Sequence, residues 1–160
     1  MIEIIPYNPK LKKAFFDINH EWISNMFKVE ALDLEVISHP EEMIIEPGGN
    51  IWFANHPEHG VVGTCALRKT GPGEFELTKM GVLEKARGLK AGETLLRFVI
   101  QYANTSDEVK LCYLLTNSNC KAAIHLYEKN GFEHSQEIKD RFSHLYDRCD
   151  VAMILNPPTK

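Results

Sequence analysis

The sequence has no long apolar run. Its longest uninterrupted stretches, Leu111–Leu115 and Val151–Leu155, have five residues each. A membrane-spanning helix needs about twenty, so no membrane partner is expected. A basic excess is also missing: 18 Lys and Arg stand against 22 Asp and Glu, for a formal net charge of −4. Nonspecific nucleic-acid binding therefore has little to drive it, although net charge leaves a local groove for one anionic ligand open. The four cysteines (Cys65, Cys112, Cys120, Cys149) form no close pair of redox or zinc type. His56, His59, His134 and His144 have no metal-ligand company nearby, so no metal is expected and these are read as surface histidines. Met1–Pro6 lacks a basic region followed by an apolar one, and Lys10, Lys12 and Lys13 come too late for a leader. The expected compartment is the cytoplasm, with reduced thiols. Nothing repeats, and no linker rich in Pro, Gly or Ser divides the chain, so one domain over residues 1–160 is expected.

What is present is a near-average globular composition, 44% apolar and 25% charged, in a chain long enough to bury one sizeable core. Met1–Ile5 reads as a strand. Asn8 offers a helix cap and Pro9 a first helical position, and Leu11, Phe15, Ile18 and Trp22 then fall on one helical stripe. A second helix is expected from Ser24 to Glu30, and a shorter one from Pro40 that ends before Pro47-Gly48-Gly49. Asn50–Ala54, Val61–Lys69 and Phe75–Leu83 are rich in strand formers and separated by turn residues, as in an antiparallel meander. Helical spacing returns from Ala91 through Leu95, Phe98, Val99 and Tyr102. Lys110–Thr116 reads as a compact strand, Lys121–Asn130 as a helix stopped by Gly131, and Phe132–Ile138 and Val151–Leu155 as strands. The order predicts a mixed, mostly antiparallel central sheet of the α/β (α+β) class, with a right-handed βαβ crossover near its middle.

The chemistry concentrates where the third meander strand ends. After Phe75–Val82 comes Leu83-Glu84-Lys85-Ala86-Arg87-Gly88-Leu89-Lys90-Ala91-Gly92, a basic, glycine-bearing turn leading into a helix. Free N–H groups at a helix start attract anions, and glycine lets a phosphate approach the backbone, so a pyrophosphate could be held there without metal. The plain alternative is a strand-to-helix turn with solvated cations. A dinucleotide fold is excluded: Arg87–Gly92 lacks the G-x-G-x-x-G spacing, and Asp107 and Glu108 precede the next strand instead of closing it.

The same turn resembles the signature of the GNAT family of acyl-CoA-dependent N-acetyltransferases, Arg/Gln-x-x-Gly-x-Gly/Ala. Val82 stands five residues before Arg87, as is common in the family, and Gly92 fills the last signature position. A second family element resembles Asn119–Phe132, with Leu126-Tyr127 and Gly131-Phe132 in their expected order. The resemblance covers about the whole chain. It implies a GNAT-like sheet with helices on both faces and transfer of acetyl from acetyl-CoA to a primary amine by direct attack. The acceptor would be a small-molecule or peptide amine. A non-catalytic acyl-CoA sensor of the same fold is the alternative, and a homodimer is compatible with family habits. Lys90 departs from the signature, which has glycine there: its side chain would crowd the pyrophosphate if the position needs a positive φ, or its ammonium would neutralise phosphate, and the second reading is favoured because a helical first turn would tolerate lysine.

Under this resemblance Met80, Gly81 and Val82 would meet the thioester, and Arg87, Gly88, Leu89, Lys90, Ala91 and Gly92 the pyrophosphate, in a gap between the strand ending at Val82 and Lys110–Thr116. Asn119 would be a CoA contact, or a plain helix cap. Tyr127 is the implied general acid for the departing sulfur; otherwise it is a core tyrosine. Glu76 is the candidate base, since strand alternation puts it on one face with Thr78, Met80 and Val82; the competing reading is an exposed strand carboxylate. Trp22, Phe27, Glu30 and Asp33 are expected around the acceptor, with Trp22 read first as core and the two carboxylates as surface charges. His125 falls on another helix face from Tyr127. Cys112 and Cys120 are read as buried thiols.

Overall fold

The computed structural model describes residues 1–156. The last four residues of the expected domain, 157–160, lie outside the described part. Strand β1 (Glu3–Pro6) is followed by α1 (Lys12–Met26), α2 (Ala31–Ser38) and the meander β2 (Asn50–His56), β3 (Gly60–Gly71) and β4 (Glu74–Val82). Next come α3 (Ala91–Thr105), β5 (Leu111–Thr116), α4 (Lys121–Lys129), β6 (Phe132–His134), α5 (Gln136–Phe142) and β7 (Val151–Leu155). One seven-stranded sheet results, in the order β1-β2-β3-β4-β5-β7-β6. Every neighbouring pair is antiparallel except β4 with β5, the two strands that flank the α3 crossover. Among the described residues no helix is long and apolar enough to cross a membrane.

The alternation of each strand divides its side chains between two cores. Trp52 and Ala54 pack with Leu95, Leu96 and Val99 of α3. Ile51 and Phe53 pack on the other face with Phe15 of α1 and Val36 and Ile37 of α2. Tyr113, between Cys112 and Leu114, turns to Ile138 and stacks on Phe142 of α5 at 4.3 Å. Each fully buried side chain of this size contributes about 1.5–3 kcal/mol. Two apolar faces on one sheet thus require helices on both sides, as observed.

Two expected elements are displaced. Helix α1 runs through Ser24 to Met26, and Phe27, fully extended, breaks it. The second helix begins only at Ala31, where Glu30 and Asp33 form a reciprocal capping box, so Ser24–Glu30 is a helix end and a connector. The strand expected over Phe132–Ile138 stops at His134, because Ser135 caps a new helix through its hydroxyl, which accepts from the Ile138 amide at 3.2 Å. The piece after Pro40 is a single π-helical turn, Glu41–Ile45. Asn8 caps as expected, its side chain accepting from the Lys10 amide at 2.9 Å.

Gly49 closes that π-turn onto the sheet. A methyl group there would stand 2.3 Å from the Leu67 carbonyl and 2.7 Å from that of Ile44, both backbone atoms with no freedom to withdraw. Gly49→Ala is expected to cost about 2–3 kcal/mol and to lower the melting temperature by roughly 5 °C or more. A thermal melt checks this.

Candidate active site

Strands β4 and β5 pair over three residues only, Glu74–Glu76 against Leu111–Tyr113. Both continue well past that point without pairing. The backbone groups that β4 would give to β5 beyond Glu76 therefore face a gap. The cause lies in β4: Thr78 pairs with Ala66 and Gly81 with Thr64, so Lys79 and Met80 together oppose Cys65. This is a β-bulge, and Lys79 takes the left-handed conformation within it, φ +52°.

The gap holds a cleft of about 520 Å³, lined among others by Trp22, Met80, Gly81, Val82, Arg87 and Tyr127. A smaller recess of about 50 Å³ continues it inward, with Trp22, Met80, Thr116 and Tyr127 common to both and Glu76, Lys79, Tyr146 and Arg148 at the inner end. Trp22 lies directly over Gly81, where a methyl group would meet its Cδ1 at 2.2 Å, and its indole N–H donates to Asn19 Oδ1 at 2.9 Å. It is a cleft wall as well as part of the helix stripe.

The bulge corrects the expected face of Glu76. Met80 and Val82 pack towards the α3 core. Lys79 instead reaches α2, and Glu76 lies on that face too, between Phe75 and Leu77 of the α3 core. An extra residue in the strand has reversed the alternation. Glu76 is also far from an exposed carboxylate: it is 2% exposed, and its Oε1 is buried without a hydrogen-bond partner among the described residues. Burial pushes its carboxyl above the ordinary carboxylate range, against the opposing pull of Lys79, Arg68 and Arg148.

Asp33 and Glu30 are not solvated charges, and neither is free for a cationic acceptor. Asp33 is 0% exposed and takes Lys79 Nζ on Oδ1 at 2.8 Å, with both terminal nitrogens of Arg148 on its two oxygens. Burial opposes its charge, yet Arg148 and Lys79 hold it below the usual range. Glu30 accepts from Arg148 at 3.0 Å and from the Asp147 amide at 2.8 Å. Phe27 meets the guanidinium of Arg148 at 5.7 Å, and neither cavity includes it. Lys79, Tyr146 and Arg148 escaped sequence reasoning; Tyr146 and Arg148 sit in an irregular loop whose position no periodicity reports.

Tyr127 is 7% exposed, packs edge-on against Phe132 at 5.8 Å and lines both cavities. Burial raises its phenol, so it keeps its proton across the neutral range. Asn119 lines the outer cleft but does not cap α4: Cys120 holds the cap position without a side-chain bond, and the Asn119 amide donates to Asn117 Oδ1 at 2.8 Å. Cys120 is half-buried at the cleft, unlike the fully buried Cys112. His125 is exposed on another face from Tyr127. Among the described residues no three His, Cys, Asp or Glu side chains gather as a metal site.

Arg87 reaches the cleft. Beyond it, Leu89 and Ala91 pack on the α3 core, so this turn can offer a ligand mainly its backbone. Gly88 has φ +86° and open space around it, and a methyl group at Gly92 would touch only Val82, at 3.6 Å. Lys90 is not in the first helical turn: it is the cap residue of α3 at φ +62° and ψ +21°. The glycine-type backbone of the signature is kept although glycine is not. Leu89 donates its amide to the Ala86 carbonyl at 3.3 Å, and the remaining amides at this helix start fit a diphosphate group.

An open parallel strand pair, a bulge beside it and an amide-rich turn into the crossover helix together leave room and donors for an extended anionic ligand. Residues 47–134 match the family model for the acetyltransferase (GNAT) domain. An uncharacterised N-acetyltransferase of Escherichia coli (strain K12), YjgM, is 32% identical over 111 residues, 68% of this chain. The chain spans 65% of the length of that curated relative. A GNAT-family acetyltransferase from Staphylococcus aureus Mu50 superposes with a TM-score of 0.84 at 26% identity, covering 99% of this chain and 100% of that one. Spermidine N-acetyltransferase from Vibrio cholerae, solved with CoA and spermine, shares the fold at a TM-score of 0.68 and 15% identity, covering 96% of this chain and 93% of that one. The chain belongs to the GNAT acetyltransferase family.

Two outcomes follow from the backbone and the charges. The folded state favours protonated Glu76, so its contribution to stability is whole below the unfolded carboxyl value of about 4.3 and is lost as pH rises through the higher folded value. Glu76→Gln is expected to melt above the wild type, with the gap widening from pH 5 to pH 8; a gap independent of pH would contradict this. Lys90→Gly relieves a left-handed lysine, a strain of about 1 kcal/mol, and should leave the melting temperature unchanged or higher. In a CoA titration at two salt concentrations the same variant should bind severalfold more weakly at low salt and with a shallower salt dependence; unchanged binding would remove the phosphate role of the ammonium.

Proposed function

We propose that the protein transfers the acetyl group of acetyl-CoA to a primary amine by direct attack. The observation that carries this reading is a pair of adjoining cavities that share Trp22, Met80, Thr116 and Tyr127 as walls, the smaller of them lined by Glu76 with its buried unpartnered carboxyl oxygen. The pantetheine arm would lie between β4 and β5, with its diphosphate on the amides of Gly88 and of Lys90 to Gly92 and Arg87 beside it. Asn119 would touch the same ligand from α4. Those backbone N–H groups between Met80 and Val82 that face the gap, and not β3, would polarise the thioester carbonyl as charge develops on its oxygen.

The amine enters the inner recess as an ammonium ion. Glu76, whose carboxyl burial pushes above the ordinary carboxylate range, takes the proton directly or through one water. The free amine attacks the carbonyl carbon, the C–N bond forms, and the C–S bond then breaks. Tyr127 gives the departing sulfur its proton, which burial keeps on the phenol until then, and the second proton shed by the nitrogen as it becomes an amide passes through water to restore the phenol. A recess of about 50 Å³ admits a narrow amine end and little more, which favours an unbranched primary amine, whether on a small molecule or a peptide. The Vibrio cholerae neighbour, solved with spermine, lends support to a small amine.

The test uses the intact protein. Saturating CoA should stabilise it by about 2.7 kcal/mol at 100 times the dissociation constant. Acetyl-CoA with an amine panel should then release thiol above the hydrolysis rate. Tyr127→Phe should bind CoA like the wild type and lose about tenfold or more in kcat. CoA binding without amine-dependent release would make the protein a sensor; unchanged kcat in Tyr127→Phe would remove the acid role.

A further inference from the structure

Lys79 is one of two non-glycine residues with a positive φ among those described, and it lies in the strand that borders the cleft. A residue with a side chain holds that conformation only when its surroundings impose it. Here the surroundings act through its ammonium, which is 2% exposed as a side chain and donates to Asp33 Oδ1 at 2.8 Å and to the Tyr146 hydroxyl at 3.2 Å. The Tyr146 ring lies beneath it, 4.7 Å from Nζ to the centroid. Asp33 has no freedom to follow a moving lysine, since Arg148 and the Glu30 amide occupy its other lone pairs. The pair is anchored on α2 at one end and on the bulge at the other. Without the bulge, β4 would alternate regularly, Met80 would exchange faces, and the strand could continue its pairing with β5.

We propose that the buried Lys79–Asp33 pair is a latch that holds β4 in its bulged conformation, so that both residues position the amides that face the acyl group. The proposal rests on reading the cleft as the acetyl-CoA site. It separates a positioning role from simple stabilisation, because a stabilising ion pair could sit anywhere, whereas this one fixes the single backbone conformation on which the opening of the cleft depends. Asp33 and Lys79 are not acceptor-binding groups, as each is spent on the other and on Arg148 or Tyr146.

The decisive comparison is Lys79→Ala against Lys79→Gly. Both remove the ammonium and leave Asp33 to Arg148, and they differ chiefly in how readily residue 79 adopts positive φ. Lys79→Met against Lys79→Asn repeats the contrast with side chains that fill the space, since asparagine tolerates the left-handed region and methionine does not. Two quantities are read for each folded variant: kcat at saturation, and the ratio of acetyl-CoA affinity to CoA affinity. All four variants lose the cation beside Glu76, so kcat falls in each; within each pair the alanine and methionine variants should fall about tenfold below the glycine and asparagine variants and, unlike them, lose the affinity advantage of the acetyl group. Equal values across each pair would overturn the latch. If the wild type binds acetyl-CoA but acetylates no amine, the acyl-transfer reading fails and the affinity ratio still decides the latch. Binding of neither ligand would overturn both.

Discussion

A parallel strand pair that stops pairing after three residues is the constraint from which the remaining architecture follows. Hydrogen bonds left unmade inside a sheet are costly, so a sheet opens only where its geometry forbids closure or where a ligand completes it. In this protein the geometry forbids it. The bulge at Lys79 adds a residue to β4 opposite Cys65, changes the strand's twist and reverses which side chains face α3. Trp22 fills the space above Gly81, and Tyr127 stands across the gap from α4, so the opening is walled by aromatic groups and does not collapse.

Charge balance at the inner end of the cleft obeys a similar economy. Asp33 and Glu30 face Lys79 and Arg148, two anions against two cations, in a setting where an unmatched charge is expensive. Tyr146 covers both cations with its ring, 4.7 Å from Lys79 and 4.8 Å from Arg148. Glu76 is the member without a partner on Oε1. Neutral, it leaves the cluster balanced; ionised, it creates a vacancy for one positive charge. That is the condition a base needs if it is to accept a proton from an incoming ammonium and return to neutrality.

Much of the fold was legible because it is written in periodicity. The stripe of α1, the meander and the α3 crossover follow from spacing and turn residues alone. The two displaced elements failed at boundaries governed by capping. Ser135 ends a strand by starting a helix, and Glu30 with Asp33 starts α2 later than apolar content suggests. The candidate site was legible only through its two family elements, around Arg87–Gly92 and Asn119–Phe132. Alternation misplaced Glu76 relative to Met80 and Val82 because a bulge is set by pairing partners that a single sequence does not display. Asp33 looked like a surface charge for a related reason. Its partners are 46 and 115 residues away, beyond any local pattern. Pairing of this kind becomes visible only when the chain has folded.

Local strain is concentrated around the cleft. Of the two left-handed lysines, Lys79 lines the inner recess with Glu76 and its unpartnered carboxyl oxygen, and Lys90 caps α3 at the turn beyond Arg87. Each such feature costs on the order of 1–3 kcal/mol, enough in sum to matter to a domain whose net stability is about 5–15 kcal/mol. The buried apolar cores on either side of the sheet carry that load. The lysines differ in how they are held. Lys79 is fixed by a buried ion pair, so its conformation persists with or without a ligand. Lys90 is exposed, and its ammonium makes no hydrogen bond or ion pair among the described residues. One strained residue therefore shapes the site in advance, while the other leaves a charge free at the rim, where a ligand's own anionic group would have to fix it.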